Sequence, residues 1–157
     1  MDGSIEARIT KLEIRAMLDD LVAEYFAKVD DRDVPGVANL FSADATFDAP
    51  TVTQHGIDQI GSFFSTRLPL FEFTFHYPHA QTFQVDSDST ATGVITGHAE
   101  HAIDGTCYLA ALKYEDSYVK DGARWRFGSR RVRNLYFLPW SELATAYRKG
   151  NTTGRPI

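Results

Sequence analysis

Four of the chain's five histidines fall in two short segments: His76 and His79 in TFHYPHA, residues 74–80, and His98 and His101 in GHAEH, residues 97–101. Imidazoles grouped in this way can ligate a metal, carry a proton, or simply belong to strands. Zinc takes three or four convergent ligands. Residues three apart on a regular strand point to opposite faces, so neither pair can close on one ion without a bulge, and no metal site is expected. Proton transfer is the better fit. An imidazole ordinarily titrates at about pH 6.5, close to neutrality, which suits a general base. A carboxylate on its second nitrogen would fix the tautomer and stabilise the imidazolium formed. By the same alternation, at most one of His98 and His101 reaches the interior.

These histidines need elements to hold them. Ser4 can cap a first helix. Within that helix Ile14, Leu18, Leu21, Val22, Tyr25, Phe26 and Val29 recur at helical spacing and form one apolar stripe. The helix ends near VDDRD, which contains Asp30. Asp33 can cap a second helix over 34–41, with Pro35 in its first turn. ATFDA, 45–49, reads as a short strand, and HGIDQIGSFFSTRL gives a third helix over 57–68. After Pro69 the period becomes strand-like. FEFTFHY and AQTFQVD flank Pro78, TATGVITGHAEHAI follows, and Asp104–Gly105 is a hairpin signal. In TCYLAALKYEDSYV, Tyr108, Ala110, Leu112, Tyr114, Asp116 and Tyr118 share one face. RWRFGSRRVRNLYFL returns as the last strand. Ser141 can cap a terminal helix, SELATAYRK, before a tail over about 150–157.

Helices first and long antiparallel strands afterwards make an α+β fold, read here as one domain over 1–157. Long strands twist and coil, so the sheet should form a cone whose open end is a cavity. Aromatic residues are 13% of the chain, in keeping with a pocket for a flat apolar ligand. The net charge of -5 argues against a nucleic-acid partner. A single cysteine, Cys107, excludes an internal disulfide. The N-terminus, MDGSIEARITKLEIR, has no apolar run, so neither a signal peptide nor a membrane span is expected, and the cytoplasm is the expected location.

The order and spacing of these pieces resemble the SnoaL-like branch of the nuclear-transport-factor-2-like superfamily. The pieces are IRAMLDDLVAEYFAKVDDRD, VANLFSADATFDAP, FHYPHA, VDSDSTATG and YEDSYVKDGARWRFGSRRV. Within that branch the chain is similar to scytalone dehydratase, bile-acid 7α-dehydratase and hexachlorocyclohexane dehydrochlorinase. The resemblance implies a cofactor-free lyase, with dehydration of a small hydrophobic cyclic molecule the leading reaction and isomerisation, cyclisation or simple ligand binding the alternatives. It places Asp30 on a helix-end aspartate that pairs with a strand histidine, here His76. Tyr25 matches a catalytic tyrosine, Arg130 a basic position, and His101 a second histidine that a one-residue gap would move to His98. The expected pocket wall includes Phe26, His98, Tyr114, Trp125 and Arg131. Alternation puts Trp125, Phe127 and Arg131 on one face and Arg130 on the other, so Arg131 points inward unless a bulge at Gly128 shifts the register. The resemblance also implies a homo-oligomer, with a trimer preferred. Apolar residues on both faces of the tyrosine-rich strand, and LYFLPW over 135–140 as a segment crossing to a neighbour or closing the cavity, point the same way.

Overall fold

The computed structural model describes residues 4–146. Ser4 caps α1 (Ile5–Asp30), its Oγ accepting from the Ala7 N–H at 3.3 Å. The buried residues of α1 are Ile14, Leu18, Leu21, Val22, Tyr25, Phe26 and Val29, the stripe that periodicity predicts. The chain turns at Arg32, whose positive φ of 59° breaks the helix. The Arg32 guanidinium donates to the Phe71 and Glu72 carbonyls at 2.6 and 2.8 Å, tying the end of α1 to the approach to β3. Asp33 caps α2 (Val34–Ala38) by accepting from the Gly36 N–H at 2.9 Å.

Six strands follow: β1 (Phe41–Ala49), β2 (Val52–His55), β3 (Phe73–Val85), β4 (Thr90–Ile103), β5 (Thr106–Asp121) and β6 (Arg124–Pro139). α3 (Gly56–Arg67) and a single 3₁₀ turn, Leu68–Leu70, separate β2 from β3. The strands form one open, curved sheet in the order β2-β1-β6-β5-β4-β3. All neighbours are antiparallel except β1 and β6, which run parallel. The α+β arrangement therefore holds, with one parallel pair, the second and third strands of the sheet. α1 and α3 pack on one face, and a core running from Ile14 to Phe137 lies between helices and sheet. No helix among the described residues is long and apolar enough to cross a membrane.

Several boundaries differ from the sequence expectation. The second helix stops at Ala38, and β1 starts at Phe41, four residues early, because Phe41 is fully buried against Phe127 in the sheet. The short β2, in VTQH, carries no strong period and was not anticipated. β3 runs through Pro78 unbroken. It is an edge strand, where a missing N–H leaves no ladder bond unmade on its open side. The register slips between Pro78 and Ala80, so His79 is an extra, bulged residue. Gly97 lies opposite, and a Cβ there would stand 2.6 Å from the Tyr77 carbonyl oxygen, so only glycine fits.

β6 carries two more slips. Phe127 pairs with Tyr118 and Ser129 with Ser117, leaving Gly128 as the extra residue. Asn134 pairs with Leu112 and Tyr136 with Ala111, leaving out Leu135. The segment 135–139 thus pairs with β5 within its own sheet and does not close over the cavity as a lid. Phe137 faces the main core, while Tyr136 and Leu138 face outward and form a second cluster with Ala111 and Ala146. The chain ends its described course in a 3₁₀ helix, Trp140–Thr145. The remainder of the expected terminal helix, and the tail, lie outside the described residues.

Candidate active site

Between α1, α3 and the inner sheet face lies a cavity of about 220 Å³. Phe47, Phe63, Phe64, Phe71, Leu112 and Val132 give it an apolar wall. The polar residues lining it are Tyr25, Thr51, Arg67, Thr74, His76, His101, Tyr114 and Asn134. Such a space, mostly apolar with a few aimed polar groups, is the usual form of a small-molecule site.

The end of α1 delivers Asp30 to the start of β3. Asp30 Oδ1 lies 2.6 Å from His76 Nδ1, and Oδ2 accepts from the His76 backbone N–H at 2.9 Å. Both side chains are largely buried, at 14% and 10% exposure. A carboxylate facing Nδ1 makes that nitrogen the donor and leaves Nε2 as the ring's acceptor. Phe26 supports the imidazole from α1 by stacking at 5.3 Å and 26°. Phe26 is thus a backing residue and does not itself line the cavity.

His101, on β4, is buried, with its ring centre 5.7 Å from that of His76. Its Nδ1 is 2.9 Å from Thr74 Oγ1, and Phe71 stacks on it at 4.8 Å. Burial pushes the His101 pKa down to about 3, reinforced by the neighbouring His76 and only partly opposed by Asp30. The ring is therefore neutral across the physiological range.

Tyr25 and Tyr114 form the inner end of the site. Burial pushes the Tyr25 hydroxyl up to about 12, with the Arg130 charge opposing, and raises Tyr114 well above the ordinary phenol value. Both stay protonated at neutral pH and can only donate or accept hydrogen bonds. Arg130 is fully buried behind them and does not line the cavity. Its Nε and Nη2 donate to the two oxygens of Asp116, at 3.0 and 2.7 Å. Its guanidinium carbon lies 4.1 Å from the Tyr25 and Phe127 ring centres and 4.8 Å from that of Tyr114. Burial opposes this charge, but Asp116 outweighs it and holds Arg130 above its usual value.

The bulge at Gly128 decides between the two arginines. With one residue looped out, Phe127 and Arg130 both face the core and Arg131 faces outward. Arg131 is a correction to the expected pocket wall: it is half exposed and pairs with Asp48 at 2.7 Å. Trp125 is a second correction. It is buried at the far side, beside Met17, Leu21 and Leu40, and does not reach the cavity. His98 is a third. It lies on the outer sheet face, where its Nδ1 is 2.7 Å from Nε2 of the bulged His79. Among the described residues no group of three or more His, Cys, Asp and Glu is placed to hold a metal ion. Sequence reasoning missed Arg67, Thr74 and Asn134. Strand period could have found two of them, since Thr74 stands two residues before His76 and Asn134 four after Arg130, each on the inward face.

The SnoaL-like domain profile matches residues 10–131. No curated protein matches the chain. Among solved structures, LinA is similar with a TM-score of 0.81 at 21% identity, covering 87% of this chain and 95% of its own. A scytalone dehydratase-like protein from Novosphingobium aromaticivorans gives a TM-score of 0.79 at 20% identity, covering 85% and 91%. The hexachlorocyclohexane dehydrochlorinase LinA-type3 of Novosphingobium barchaimii gives 0.79 at 20%, covering 87% and 96%. At these identities the likeness is one of fold.

Proposed function

The chain belongs to the SnoaL-like domain family of the nuclear-transport-factor-2-like superfamily, and we propose that it is a cofactor-independent lyase, a dehydratase of a small hydrophobic cyclic substrate. The observation that carries this reading is the Asp30–His76 contact of 2.6 Å at the edge of an apolar cavity. His76 Nε2 takes a proton from a carbon made acidic by a neighbouring carbonyl. The C–H electron pair forms the new double bond, and the bond to the leaving hydroxyl breaks. Asp30 orients the ring and stabilises the imidazolium. Tyr25 and neutral His101 donate hydrogen bonds to the oxygens that gain charge, and the leaving hydroxyl takes the proton held by His76, departing as water and restoring the neutral base. Arg130 acts at one remove, holding Tyr25 and Tyr114 in place through their ring faces. This replaces the role of direct anion stabiliser that its family position implied.

A screen of hydroxylated cyclic ketones by mass spectrometry tests the reading. A dehydratase gives a product lighter by one water; an isomerase or cyclase using the same base gives one of equal mass. His76→Ala should cost about 10²–10⁴-fold in rate, while His79→Ala, on the outer face, should leave it unchanged. Equal losses would refute the assignment of the base.

The same reading takes the protein as a cytoplasmic homo-oligomer, with a trimer preferred. The support is an exposed apolar strip on the outer side of edge strand β3, Phe73, Phe75 and Tyr77, which are 48%, 45% and 40% exposed.

A further inference from the structure

Arg67 and Asn134 are among the polar groups of the cavity that the proposed chemistry does not use. Arg67 is the only Arg or Lys among the described lining residues, and no Asp or Glu lines the cavity with it. The other cations near the core or the site are matched: Arg130 with Asp116, and Arg131 with Asp48. Arg67 has no carboxylate within ion-pair distance among the described residues, although it is only half-exposed. Its position in the last turn of α3 gives partial compensation from the helix dipole, and the Phe71 ring lies 5.6 Å below its guanidinium carbon. Neither is a full counter-charge. Partial burial lowers its pKa, which is the cost of that missing partner. An arginine nevertheless keeps its charge at neutral pH. Asn134 is also unmatched: its Nδ2 is buried at the cavity wall with no hydrogen-bond partner. A buried donor left unmade in a ligand cavity is a group waiting for a ligand acceptor.

Arg67 also has a place relative to the reacting end. Its guanidinium sits over Phe71, Phe71 stacks on His101 at 4.8 Å, and His101 meets His76 at 5.7 Å. The cation and the candidate base therefore stand two aromatic rings apart along one wall. We propose that the substrate of this cavity is a cyclic carboxylate, its anionic group held by Arg67, its ring between the aromatic walls, and a neutral oxygen on the ring accepting from Asn134. A carboxylate matches the planar fork of a guanidinium, which binds its two oxygens side by side. The proposal deepens the lyase reading and rests on it for the direction of the ring, but charge recognition can be measured without turnover.

The test is equilibrium binding by calorimetry of cyclohexanecarboxylate and its isostere cyclohexanecarboxamide, at pH 7.5 and low salt. The acid should bind roughly tenfold or more tighter than the amide, because a hydrogen bond to a charged group is worth more than a neutral one. Arg67→Gln should erase that preference and Arg67→Lys should keep part of it, with circular dichroism confirming that both variants fold. Asn134→Leu should leave the acid-over-amide ratio intact but weaken a ring-hydroxylated or ring-keto acid relative to the unsubstituted one. Equal affinity for acid and amide, no measurable binding of the acid, or an undiminished preference in Arg67→Gln would each overturn the proposal. The same titrations on His76→Ala separate the two readings. That variant should retain the preference while losing turnover, so failure of the dehydratase assay leaves the anion site standing, and the reverse also holds.

Discussion

His101 gives a stability prediction whose size can be worked out. The ring is 7% exposed, and its pKa is pushed from 6.5 to about 3. A depressed value in the folded state means that the unfolded chain binds this proton more readily. His101 therefore contributes its full share of stability above pH 6.5, and that share is lost as the pH falls from 6.5 toward 3, at about 1.4 kcal/mol per unit. Between pH 7 and pH 5 the loss from this one group amounts to about 2 kcal/mol. His101→Gln removes the titration while keeping a polar side chain near Thr74. Urea unfolding at pH 7, 6 and 5 should show wild type losing about 2 kcal/mol more than the variant over that range. All other titrating groups are common to both proteins, so the difference isolates His101. Parallel stability curves would show that His101 gains a proton in the folded state without penalty, and the picture of a dry, neutral second histidine would be wrong.

Three further outcomes follow from the geometry. Asp116→Asn should destabilise by about 3–5 kcal/mol in urea, because it strips the buried Arg130 of its counter-charge, whereas Arg131→Ala, which breaks an exposed pair, should change stability by less than about 1 kcal/mol. Gly97→Val should lower the melting temperature measurably, since its Cβ would have to sit 2.6 Å from a carbonyl oxygen of the bulged edge strand. Light scattering at micromolar concentration should give the mass of an oligomer that falls when Phe75 and Tyr77 are changed to Lys, and a wild-type monomer would remove the oligomer from the reading.

What could be read in advance followed from periodicity. The apolar stripe of α1 gave both the helix and the burial of Tyr25, because seven apolar residues at helical spacing have one way to pack. Strand alternation after Pro69 gave the long strands and put His79 on the side away from His76. Alternation fails wherever a residue is looped out, and β6 loops out two against β5. Gly128 reverses the facing of Arg130 and Arg131, and Leu135 sends Phe137 inward and Tyr136 outward, while the bulged His79 keeps the outward side that alternation gave it. Only at Gly128 does the sequence hint at the bulge, through a residue without a side chain between two aromatic-basic runs. The pairing of Asp30 with His76 spans 46 residues and no local pattern encodes it. Only the resemblance implies it, and in the structure Arg32 ties the same helix end to the carbonyls of Phe71 and Glu72.

Arg32 therefore carries a consequence for the site that its own chemistry does not suggest. Its two hydrogen bonds, at 2.6 and 2.8 Å, are the described side-chain link between the α1 terminus and the chain entering β3, apart from the dyad itself. A charged donor on a carbonyl is worth about 1.5–3 kcal/mol. Arg32→Ala should cost about that much stability and should also loosen Asp30 from His76, because the turn at position 32 then keeps its local backbone hydrogen bonds but loses its tie to the chain entering β3. The effect should fall on turnover and also on ligand affinity, since the same clamp holds the carbonyl of cavity-lining Phe71. Arg32→Lys, with an ammonium in place of the single Nη2 that makes both bonds, should recover part of both. If Arg32→Ala lost stability while His76-dependent turnover stayed at the wild-type level, the dyad would be held by its own two hydrogen bonds alone, and the clamp would be a feature of the fold and not of the site.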